Sequence, residues 1–143
     1  MAIKMKKYKN IKLVDITTLE PKIKSYSKNP KYTTYRILTL EEKTFTIKPK
    51  KLREVVANLQ QKYPDKNFTL EKVKIFYQGK YRTFWMIGRK EGYLKGVPLY
   101  YSTMFKKLYV PSSYVKRKPK LVASVLLFRL RDLGIPYRLR YSS

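Results

Sequence analysis

The chain has 143 residues, 43% of them hydrophobic, and sets 34 Lys and Arg against nine Asp and Glu, a formal net charge of +25. Cysteine and histidine are both absent, which excludes disulfides, thiolate chemistry, Cys/His zinc sites and a Ser-His-Asp triad. No run reaches the roughly 18 apolar residues of a membrane span; the longest apolar patch, Leu121–Phe128, is interrupted by Ser124 and followed by Arg129.

The charge is far above the magnitude of roughly 2–8 that solubility asks for. It opposes compaction and calls for a polyanionic partner. Nucleic acid fits that call, because Lys and Arg docking on its phosphates release condensed counterions. The basic N-terminus MAIKMKKYKN is followed by IKLVDI, too short and too charged for a signal-peptide core, so the expected location is intracellular, inside a virion or a ribosome.

In chain order, residues 1–31 read as a basic N-terminal extension and 32–143 as a single α+β nucleic-acid-binding domain. The extension carries Lys4, Lys6, Lys7, Lys9 and Lys12, a short helix signal at Thr17–Pro21 and turn chemistry at Ser25–Pro30. Residues 34–40 are rich in β-branched and aromatic residues, 43–47 alternate, and Glu41-Glu42 between them predicts a tight hairpin. Pro49 in a first helical turn and the stripe Leu52, Val55, Val56 and Leu59 predict a helix over about 50–62.

A second hairpin follows. Val73, Ile75 and Tyr77 share one face of 71–77, with Lys72, Lys74 and Phe76 on the other. A Gln78-Gly79-Lys80 turn then leads into 81–87, where Arg82, Phe84 and Met86 lie opposite Tyr81, Thr83, Trp85 and Ile87. With that turn, Lys72, Lys74, Phe76, Arg82 and Phe84 are expected on one open face. Gly88, Gly92 and Gly96 punctuate a loop. Residues 99–109 read as a short helix, Pro111-Ser112-Ser113 as the opening of an irregular segment that leads into the basic run at 116–120, about 120–133 as a helix closed by Gly134, and Tyr137–Tyr141 as extended. The expected fold class is α+β: a small antiparallel sheet built from two hairpins, helices packed on it, and basic terminal extensions.

The candidate phosphate contacts are Lys4, Lys6, Lys7, Lys9 and Lys12 in the extension, Lys72, Lys74 and Arg82 on the second hairpin, Lys116, Arg117, Lys118 and Lys120 before the last helix, and Arg129, Arg131, Arg138 and Arg140 near the C-terminus. The candidate stacking residues are Phe76, Phe84 and Trp85. Lysine outnumbers arginine, which favours phosphate neutralisation over bidentate base reading. The acids are scattered, with no paired carboxylates and no phosphate-binding glycine loop, so no enzyme, cofactor or metal is expected. The expected role is a structural nucleic-acid-binding protein of nucleocapsid or coat type. It would bind DNA or RNA through the backbone and self-assemble through the Tyr-rich stretch 93–114. A ribosomal protein and a DNA-binding regulator are the alternatives. No membrane partner is expected.

Overall fold

The structure, a computed structural model, describes residues 8–26, 33–89 and 96–142. In chain order the elements are β1 (Tyr8–Lys9), β2 (Leu13–Asp15), a 3-10 turn (Ile16–Thr18), β3 (Lys22–Tyr26), β4 (Thr33–Leu40), α1 (Pro49–Lys62), β5 (Phe68–Tyr77), β6 (Lys80–Arg89), β7 (Leu99–Ser102), β8 (Lys107–Pro111), α2 (Ser112–Arg117), α3 (Pro119–Leu133) and β9 (Tyr137–Ser142). They form a six-stranded sheet in the order β1-β5-β6-β7-β8-β2 and a three-stranded sheet in the order β3-β4-β9. Among the described residues only the β1–β5 pairing is parallel. Among the described residues no helix is long and apolar enough to cross a membrane.

The chain connectivity forces the large sheet to curl. β1 and β2 are its two edges, yet only Asn10, Ile11 and Lys12 separate them. From Lys9 to Leu13 the backbone spans at most about 14 Å. The edges of a flat six-stranded sheet lie about 24 Å apart. The edges must therefore approach each other. The curl encloses a small core of Val73, Ile75, Phe84, Met86, Tyr100 and Tyr109, with Ile11, Leu13 and Tyr77 packed against it.

The opposite face of the same sheet carries the main core. There Ile87, Leu99, Tyr101, Leu108 and Val110 meet Leu52, Val55 and Leu59 of α1 and Val122, Leu126 and Leu130 of α3. Leu38 of the three-stranded sheet and Ile16 join the same cluster. The helix signals act as the sequence implies. Pro49 and Pro119 open α1 and α3, and Gly134, at φ 71°, terminates α3 by donating to Arg131 while Ile135 donates to Leu130.

The expected fold class is corrected by these sheets. The protein is sheet-rich, with one curled mixed sheet and a second three-stranded one, rather than a two-hairpin sheet under helices. The hairpin expected from 34–40 and 43–47 does not form. β4 is the central strand of its sheet, paired with β3 on one side and β9 on the other, so no edge is left for 43–47. Residues 99–109 form the β7–β8 hairpin and not a helix. All four residues of β7 are buried, and a run buried on both faces shows no strand alternation. The segment read as irregular contains α2, and the helix signal at 17–21 is realised one residue earlier as the 3-10 turn. Residues 8–26, read as part of an extension, supply β1, β2, β3 and the buried Ile16.

Candidate nucleic-acid interface

β5 and β6 have ten residues each and pair along their whole length, whereas β7 pairs only with Trp85, Met86 and Ile87 of β6. The tip of the hairpin therefore projects beyond its neighbour. Gln78 and Gly79 form its turn with φ of 51° and 88°, the left-handed pair that a two-residue type I′ turn requires. Tyr77 is consequently opposite Lys80, Phe76 opposite Tyr81, Lys74 opposite Thr83 and Lys72 opposite Trp85. At the base of the hairpin this outer face is part of the main core, through Phe68, Leu70, Trp85 and Ile87. At the tip it is open.

Three exposed rings gather there. Tyr8 is 60%, Phe76 54% and Tyr81 46% exposed. Tyr81 is the middle ring, 5.1 Å from Tyr8 at 87° and 5.4 Å from Phe76 at 74° between ring planes. Tyr8 arrives from a separate part of the chain, placed opposite Lys74 by the parallel β1–β5 pairing. Lys72 and Lys74 share this face with the rings. The Lys72 ammonium lies 4.9 Å from the half-buried Trp85 ring.

The hairpin register separates residues that the sequence reading had joined. Lys72, Lys74 and Phe76 do share the open face. Arg82 and Phe84 are on the other. Phe84 is completely buried in the small core, which removes it as a stacking surface. Arg82 holds the turn, donating from Nε to the Tyr77 carbonyl at 2.8 Å and from Nη2 to the Gln78 carbonyl at 3.2 Å, with its guanidinium 5.1 Å from the Phe105 ring. Trp85 is available only along the part that Lys72 does not cover. The sequence reading missed Tyr8 and Tyr81; the length of the turn was the signal for Tyr81.

The other candidates are dispersed. Lys116, Arg117, Lys118 and Lys120 are all exposed around the α2–α3 junction and form no ion pair among the described residues. Arg129 is tied to Asp132 at 3.6 Å and stacks on Phe68, while Arg131 lies 5.9 Å from the Phe128 ring. Both border a pocket of about 190 Å³ between α1 and α3, to which Lys62, Lys66 and Tyr63 also contribute. Arg138 and Arg140 lie on the outer face of the three-stranded sheet, paired with Glu41 at 2.8 Å and Glu20 at 3.2 Å. Lys12 is exposed; the half-buried Lys9 donates to the Met86 sulfur at 3.5 Å. Lys4, Lys6 and Lys7 lie outside the described residues.

Two further features bear on function. The stretch 93–114, expected as a self-association surface, has Tyr100, Tyr101 and Tyr109 buried inside the fold, so these rings are not available to a second copy; Tyr93 lies outside the described residues. Burial pushes the Tyr100 phenol up to about 12, with Tyr114 and Glu71 adding to the effect. Burial and a hydrogen bond with Tyr77 push Tyr109 well above the usual phenol range. Both rings stay neutral and serve as core. Among the described residues no group of three or more Asp and Glu is placed to hold a metal ion. No protein-family model matches the chain, and no curated protein or solved structure is significantly similar to it.

Proposed function

We propose that the protein binds nucleic acid through the phosphate backbone, in a structural role, with many copies covering a polymer as a nucleocapsid or coat protein does. One observation carries this reading. The chain carries an excess of 25 positive charges, and among the described residues many of its cations are exposed and outside any ion pair. Lys72 and Lys80 on the β5–β6 hairpin, and Lys116, Arg117, Lys118 and Lys120 at the α2–α3 junction, are exposed and form no ion pair among the described residues. Cations spread over separate faces suit a polymer that wraps the protein or is wrapped by it. Their lysine-rich character suits neutralisation without sequence reading.

The test is a titration of nuclease-treated protein with a labelled oligonucleotide between about 50 and 200 mM salt, with particle mass followed by light scattering. Each phosphate neutralised contributes about −0.7 (single strand) to −0.9 (duplex) to the slope of log K against log salt. A slope of several units, together with particles of many copies that collapse on nuclease treatment, is the expected result. A monomer that recognises one folded RNA would replace the coat reading with a ribosomal one. Absence of binding at the low-salt end would overturn the proposal as a whole.

A further inference from the structure

We infer that the open tip of the β5–β6 hairpin is a stacking platform for unpaired bases, so that the polymer this face takes is single-stranded. The inference rests on the nucleic-acid reading above and narrows it. Three rings from β1, β5 and β6 form one exposed group, with Tyr81 between Tyr8 and Phe76 and nearly perpendicular to both. An aromatic group left this open on a protein surface is the kind of patch that marks a contact.

Its composition selects the occupant. The strand positions of this open face are Tyr8, Lys72, Lys74, Phe76, Tyr81, Thr83 and, at its border, Trp85. They include no aliphatic side chain and no carboxylate. A groove for an apolar helix, or a face that enters a lipid layer, needs aliphatic residues that are missing here. Aromatic faces beside lysines match the two parts of a nucleic-acid strand: a base to stack and a phosphate to neutralise. Bases in a duplex already stack on each other, so their faces are closed to the platform. Splayed bases in a single strand are free.

The experiment compares a labelled oligothymidylate with a duplex of equal length, using the full chain and the variants Phe76→Leu and Tyr81→Leu. Leucine keeps apolar bulk and removes the ring. The expected result is tighter binding of the single strand by the unmodified protein, a loss of at least about fivefold per ring for the single strand, and little change for the duplex. Photocrosslinking of the unmodified protein to an iodouracil-containing strand provides a readout that no variant's folding can affect, with adducts expected on Tyr8, Phe76 or Tyr81. Salt-dependent binding to both polymers with equal affinity, unchanged in the variants, and adducts confined to Lys116–Lys120 would overturn the platform while leaving the backbone reading standing. Variants that alter particle mass but not strand affinity would assign the patch to a contact between copies and overturn it as well. Failure to bind either polymer would remove both readings.

Discussion

At the scale of single residues, Tyr101 shows how a side chain replaces a strand. Residues 43–47 alternate as a strand should, with Phe45 and Ile47 buried, yet β4 has no edge for them. The Tyr101 hydroxyl takes the place of a ladder rung. It accepts from the Ile47 amide at 2.9 Å and donates to the Phe45 carbonyl at 2.6 Å, while the Phe45 amide donates to the Lys106 carbonyl. Both bonds of the hydroxyl are buried, so Tyr101→Phe would strand one donor and one acceptor away from water. Each such group costs about 1–3 kcal/mol, which places the expected loss at about 2–6 kcal/mol. Urea unfolding should show a lower midpoint at an unchanged slope. A loss under about 0.5 kcal/mol would mean that the loop finds other partners and that the hydroxyl is not its anchor.

At the scale of elements, the β5–β6 turn decides the candidate site. A three-residue turn, Gln78-Gly79-Lys80, places Phe76 beside Arg82; the two-residue turn in the structure places it beside Tyr81. The strands, their alternation and their basic character were legible in the sequence. The register was not, because a one-residue slip moves every side chain of one strand to the other face. The same limit applied to β7, where burial on both faces erased the alternation, and to β1, whose two residues are too few to show a pattern. α1 and α3 were legible because proline, glycine and an apolar stripe act locally. The turn residues provide the test. A Cβ on Gly79 would meet nothing within 4 Å, so Gly79→Ala isolates the backbone cost of its positive φ, expected at about 1–2 kcal/mol. Gln78→Asn, which supplies the residue best suited to the first position of this turn, should stabilise by about half a kcal/mol. Thermal melts of both variants check the pair. If both shifts were absent, the type I′ register, and the face it builds, would be in doubt.

At the scale of the whole molecule, a net charge of +25 must be reconciled with a folded state that has to hold its cations close together. Self-repulsion among them is screened by salt, so added salt should stabilise the free protein even as it weakens binding to a polyanion. The alkaline limb of stability separates two opposing effects. Deprotonation of lysines above about pH 10 relieves repulsion and favours the folded state. The buried Tyr100 works the other way. Its pKa is raised from 10.0 to about 12 on folding, so its contribution is fully present below pH 10 and is lost as the pH rises through about 12, because the unfolded chain releases this proton first. Tyr109 is shifted in the same direction and extends the loss to higher pH. The phenol contribution of Tyr100 is on the order of 2–3 kcal/mol across that window. Melting temperature measured from pH 8 to pH 12 should therefore fall on the alkaline side despite the reduced charge, and Tyr100→Phe should flatten the fall. Phenolate absorbance from Tyr100 should appear late, together with unfolding, and Tyr100→Phe should remove that component. A variant that melts with the same alkaline slope as the unmodified protein would show that lysine and the remaining tyrosines control this limb, and that Tyr100 does not couple ionisation to the closure of the curled sheet.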